Sequence, residues 1–100
     1  MKRNAQRIGT MLFTTLLIGA AAAHAAGDPE AGREKARGCA GCHGLDGGGR
    51  IPLADKTAAD IEEQLLAYQS GARRDEIMNT VAKQLDEQDI ADLAAYYASQ

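Results

Sequence analysis

Cys39 and Cys42 stand three positions apart, and His43 follows the second directly, in the stretch GCAGCHG. No other cysteine occurs in the 100 residues. Two thiols with an adjacent imidazole have four chemical uses: a redox dithiol, a zinc site, a disulfide, or covalent attachment of a porphyrin. Each use demands different surroundings, so the rest of the chain decides among them.

The amino terminus sets the compartment. Lys2, Arg3 and Arg7 give a positive opening, and Met11 to Ala23 is almost wholly apolar or small. Ala23-His24-Ala25 then puts small residues at the two positions that signal peptidase reads. The pattern predicts a secretory signal peptide over residues 1–25 and a mature domain over 26–100. The apolar run is too short for a membrane anchor, since a span takes about 20 residues, and its later half is alanine. Export to a bacterial periplasm is expected, with no membrane span after cleavage.

Removing the leader sharpens the composition. Three of the eleven Lys and Arg lie in it, which leaves eight against fourteen Asp and Glu, a formal charge of −6. Such an acidic surface argues against nucleic acid or anionic lipid as partner and admits a basic protein. Phe13 leaves too, so three tyrosines are the only aromatics in about 75 residues. A domain that small has little core of its own. Two cysteines make no disulfide network, so some other body must fill the middle.

Periodicity predicts an all-α domain of about four short helices. Asp28 reads as an N-cap with Pro29 at the first helical position, opening a helix that stops at Gly38. Residues 44–56 are rich in glycine, contain Pro52 and read as loop. Thr57 and Asp60 form a capping-box pair before a helix that places Ile61, Leu65 and Tyr68 on one face and ends at Gly71. Ile77, Met78, Val81 and Ala82 define one side of a third helix. Asp86 and Asp89 repeat the capping device before a last helix that buries Ile90, Leu93, Ala94 and Tyr97. No stretch alternates with period two over a useful length.

This organisation separates the four uses of the cysteines. A thioredoxin-type dithiol belongs in a βαβ setting, and no strand is expected. Zinc needs four ligands, or three plus water; the adjacent Cys42 and His43 share one tetrahedron awkwardly, and the only other histidine, His24, leaves with the leader. A disulfide across so short a loop would contribute little. C-x-x-C-H is the c-type haem attachment signature. The two thiols add across the two vinyl groups on one porphyrin edge, and the next residue then lies under the iron, where His43 can supply an imidazole. One covalently attached haem c also provides the apolar body that the core lacks.

The second axial position draws on Met, His, Lys or an open site. No second histidine remains beside His43, and Met1 and Met11 leave, so Met78 is the only thioether of the mature chain. It lies 35 residues after His43, far enough to cross a haem with the Thr57 helix in between. Lys56, Lys83 and an empty site are the alternatives.

The stretches CAGCHGLDGGGRIP, QLLAYQSGARRDEIMNTVA and LDEQDIADLAAYY together resemble the small class I cytochromes c of the cytochrome c553/c4 type. The resemblance runs over essentially the whole mature chain. It implies that Met78 is the distal ligand. It further implies that Pro52, in the loop after the haem motif, offers its backbone carbonyl to the proximal imidazole of His43, fixing the ring and raising its basicity. The last helix is implied to pack across the first, with Leu93, Tyr96 and Tyr97 meeting residues 31–37. The chain departs from the family pattern in a short 49–57 loop and in having no aromatic on the first helix.

A haem ligated by both His43 and Met78 has no place for a substrate. The expected function is therefore electron carriage between redox proteins, not catalysis. Two other readings stand beside it. One is the haem c subunit of a periplasmic dehydrogenase, such as a sulfide-oxidising flavocytochrome; the other is a five-coordinate iron that binds small gases or peroxide. Arg73 and Arg74 are either a solvated pair or partners for a haem propionate. Glu62 and Glu63 read as a solvated helix face, and Asp46 as a turn residue.

Overall fold

The computed structural model describes residues 26–100, and the expected leader over residues 1–25 lies outside them. Each longer helix starts where a side chain satisfies its first amide groups, a device worth about 1 kcal/mol per helix. Helix α1, Pro29–Lys35, is capped by Asp28, whose carboxylate accepts the Glu30 N–H at 2.9 Å, with proline at the helix start. A 3₁₀ turn over Ala36–Gly38 leads to the one-turn helix α2, Ala40–His43. Helix α3, Ala58–Ser70, opens on the full Thr57/Asp60 capping box and stops at Gly71, whose φ of 80° suits a residue without Cβ. Helix α4, Glu76–Lys83, is capped by Asp75, and α5, Glu87–Ala98, opens on the Asp86/Asp89 box.

No strand occurs among the described residues, and the all-α expectation holds. The fifth helix is α2. Periodicity misses it because a single turn has no apolar repeat, and Gly41 within it argues locally for loop. Its carbonyls are nonetheless used: the Gly44 N–H donates to Ala40 at 2.9 Å, and Gly44 then leaves the helix at φ 74°.

The packing of α1 against α5 frames the molecule. In place of an aromatic on α1, Gly32 allows direct backbone approach. A Cβ there would stand 2.0 Å from the Asp92 carbonyl oxygen and 2.7 Å from the Tyr96 Cβ. Beside this contact the buried Asp92 carboxylate accepts three hydrogen bonds, from the Asp28 N–H at 2.8 Å, Lys35 Nζ at 2.6 Å and Gln88 Nε2 at 2.8 Å. Lys35 also reaches Asp89 at 2.9 Å. The implied contact of the last helix with the first is thus made, through glycine and a charged cluster.

Helix α3 packs on α5 and on α4. Ile61, Leu65, Ile90, Leu93, Ala94, Tyr96 and Tyr97 form the core, with Met78 and Leu53 packed against it. An eight-residue helix such as α4 is marginal alone. A side chain from α3 ties down its end: Gln69 Nε2 donates to the Ala82 carbonyl at 2.9 Å and to the Leu85 carbonyl just beyond the helix at 2.7 Å.

Candidate functional site

The haem motif lies on the α2 turn. The Cys39 N–H donates to Ala36 at 2.8 Å, and the His43 N–H donates to Cys39 at 3.0 Å, so the chain winds once between the two thiols. Both cysteines are free and partly buried. Burial pushes the Cys39 thiol up from its ordinary value, the opposite of what a reactive dithiol needs.

His43 is buried, with 8% of its surface exposed. Its Nδ1 lies 2.8 Å from the Ile51 carbonyl oxygen. A carbonyl can only accept, so Nδ1 carries the proton and Nε2 is left with its lone pair for a metal. This corrects the expectation that Pro52 supplies the carbonyl. The acceptor is one residue earlier, and Ile51 is held from its other side by its own N–H, which donates to Cys42 at 3.0 Å. Proline acts on the residue before it, excluding the helical region there. Pro52 therefore works through Ile51, while its own ring lines the adjoining cavity.

That cavity has a volume of about 370 Å³ and is mainly apolar. Cys39 and the α2 residues Cys42 and His43 line it, together with Ile51, Pro52, Leu53 and Lys56 from the loop. Helix α3 adds Ile61, Gln64, Leu65 and Tyr68; the α3–α4 loop adds Arg73 and Asp75; α4 adds Ile77 and Met78; and α5 adds Leu93 and Tyr97. All five sequence-derived site residues, Cys39, Cys42, His43, Pro52 and Met78, thus border one space. Lys56 borders it too, whereas Lys83 and Arg74 do not. The donor set of two thiols, an imidazole nitrogen and a thioether around an apolar cavity fits a covalently held haem.

Several residues that hold this site carry no local signal. The Tyr97 hydroxyl donates to the Gly44 carbonyl at 3.2 Å, and that of Tyr96 to the Leu45 carbonyl, tying the loop after the motif to α5. Burial keeps the Tyr97 phenol well above its ordinary range, so it remains a neutral donor. Asn79 braces the segment around Met78. Its Nδ2 donates to the Tyr68 and Arg73 carbonyls at 2.8 and 2.9 Å, and its Oδ1 accepts the Asp75 N–H at 2.9 Å.

The family model "Cytochrome c" matches residues 29–100. Cytochrome c-554(548) of Halomonas halodenitrificans is 42% identical over 82 residues, covering 75% of this chain and 99% of the relative. Cytochrome c4 of Pseudomonas aeruginosa is 42% identical over 95 residues, covering 91% of this chain and 46% of the relative, so the chain spans about half the length of that protein. Cytochrome c-553 of Helicobacter pylori is 32% identical over 101 residues, covering 96% and 95%. With a helical fold, a C-x-x-C-H turn and a cavity suited to a porphyrin, these matches place the chain in the cytochrome c family, as an electron-transfer protein with covalently bound haem c.

Proposed function

We propose that this chain is a periplasmic single-electron carrier whose haem iron is held by His43 and Met78. One observation carries the proposal: Cys39, Cys42, His43 and Met78 all border the same cavity. When bound, the haem supplies a one-electron iron couple. The chain supplies the rest. Cys39 and Cys42 tether the porphyrin through thioethers. The Ile51 carbonyl fixes the His43 ring and raises the basicity of Nε2. The neutral sulfur of Met78 favours the ferrous state and raises the potential relative to a second histidine. With His43 and Met78 both committed to the iron, the site would leave no position for a substrate, and the haem would supply electron transfer alone.

Export rests on the leader pattern of residues 1–25, with residues 26–100 as the mature cytochrome domain. No described helix is long and apolar enough to cross a membrane. The partners are redox proteins that dock briefly over a small interface. The formal charge of −6 over residues 26–100, eight Lys and Arg against fourteen Asp and Glu, favours a positive patch on at least one of them. The second reading, a haem subunit of a periplasmic dehydrogenase, draws on Ile51 and Ile77, which line the cavity and are 53% and 63% exposed. A permanent subunit would co-purify with a flavoprotein; a free carrier elutes alone.

The decisive variant is Met78→Ala. The purified ferric protein is expected to lose its sulfur-to-iron charge-transfer band and its low-spin methionine-ligated spectrum, and its midpoint potential should fall. An unchanged spectrum and potential would remove Met78 from the iron and leave Lys56 as the remaining side-chain ligand that borders the cavity.

A further inference from the structure

Two positive side chains border the cavity, Lys56 and Arg73, against one carboxylate, Asp75. Asp75 is already committed. Its Oδ1 accepts the Ile77 and Met78 N–H groups at 3.0 and 2.8 Å, closing the start of α4. Among the described residues no carboxylate lies within ion-pair distance of Arg73. Its guanidinium is nevertheless held in place. It lies 5.2 Å over the Tyr68 ring and donates from Nη1 to Gln64 Oε1. Gln64 and Tyr68 are four apart on α3, and both line the cavity. The Arg73 backbone is fixed as well, its N–H donating to Ala67 at 3.1 Å and its carbonyl accepting from Asn79 at 2.9 Å.

A stacked, oriented guanidinium without a carboxylate partner, at the border of an apolar space, is preorganised for an anion. Its planar fork matches a carboxylate better than an ammonium does. A haem in this cavity brings two carboxylates, its propionates. Among the described residues the Lys56 ammonium makes no hydrogen bond or ion pair that would orient it, although its charge acts on Asp60, and Arg74 does not line the cavity. We propose that Arg73 binds a haem propionate, with Gln64 and Tyr68 as positioning residues for its guanidinium, and that Arg74 has no such role. This rests on the haem occupying the cavity and is independent of Met78 as its ligand.

The test uses the ferric holoprotein in wild-type, Arg73→Gln, Arg73→Lys and Arg74→Gln forms. The propionate methylene proton resonances are followed by NMR as a function of pH. The other charged or titratable groups bordering the cavity are His43 on α2, Lys56 in the loop, Tyr68 on α3, Asp75 before α4 and Tyr97 on α5, and they are common to all four proteins. Loss of a paired cation raises a carboxylate's titration midpoint by about one pH unit or more. Arg73→Gln is expected to show that rise, Arg73→Lys a smaller one, and Arg74→Gln none. A midpoint unmoved in both Arg73 variants overturns the assignment, and so does an equal rise in Arg74→Gln, which would mark a diffuse charge effect. Should Arg73→Gln fail to accumulate, Arg73→Lys decides alone against wild type and Arg74→Gln. A normal haemochrome with an unmoved propionate sinks only the role of Arg73; absence of haemochrome sinks the haem reading with it.

Discussion

Asn79 shows how much of this site depends on single side chains outside the haem motif. Its amide joins the end of α3, the Arg73 carbonyl and the Asp75 N–H, three backbone groups that converge beside Met78. Truncating it strands the part-buried Tyr68 carbonyl and leaves the other two groups to water, which costs about 1 kcal/mol. Asn79→Ala is therefore expected to lower the stability of the ferric holoprotein by about that amount, read from the midpoint of guanidinium unfolding at constant slope. An unchanged midpoint would show that water replaces the amide at no cost. No local pattern predicts this role, because the partners come from the fold. The same holds for Ile51. Every residue has a carbonyl, so which one faces His43 Nδ1 is a matter of loop geometry that residue identity does not encode. Cys39, Cys42, His43 and Met78 stood out because their side-chain chemistry is rare in the chain, and the structure brings all four to the border of one cavity.

At the scale of elements, the helix starts were legible and the helix contacts were less so. Caps are local: Asp28, Thr57 and Asp86 each lie within three residues of the amide they serve, and so does Asp75, a cap that the sequence pattern had not singled out. The α1–α5 crossing joins residues more than fifty positions apart, through a glycine that leaves no side-chain signal and through Asp92, whose surroundings in sequence read as an ordinary helix face. That carboxylate is held at a pKa of about 2, chiefly by the Asp28 N–H and then by the Lys35 ammonium and the Gln88 amide. Lys35 is in turn raised by Asp92 and Asp89, so the pair stays charged across neutral pH. A lowered carboxylate pKa stabilises the fold above its unfolded value near 3.9, and that stability is lost as pH falls towards the folded value. Asp92→Asn removes the charge and keeps an acceptor for Asp28. Wild type is expected to melt above this variant at pH 5, with the gap closing between about pH 4 and pH 2. A gap that stays constant through that window would mean that the charge of Asp92 does not stabilise the α1–α5 crossing.

The whole molecule is organised around a space that the polypeptide does not fill. Ile61, Leu65, Leu93 and Tyr97 belong to the core and also line the cavity of about 370 Å³, so each has one face on protein and one on the haem site. A single core in a domain of about 75 residues rarely supplies more than about 3–5 kcal/mol. Without a haem these apolar faces meet water, at a cost of about 25 cal/mol for each Å² exposed. The short helices α2 and α4 then lose much of the packing that offsets their nucleation cost. The poverty of aromatics in the sequence was thus a sound pointer to a prosthetic core, whereas the way in which α2, α3, α4 and α5 close around it was visible only in the structure. The chain carrying both Cys39→Ala and Cys42→Ala cannot form thioethers. Expressed as the full chain and purified without haem, it is expected to show circular dichroism well below the helical content of the holoprotein and no cooperative thermal transition. Restoring Cys42 alone permits one thioether and should return a cooperative transition at a lower temperature than wild type. A cooperative, fully helical apoprotein would show instead that Ala36, Ile90, Ala94 and the tyrosine pair suffice as a core, and that the haem is cargo in a fold that stands without it.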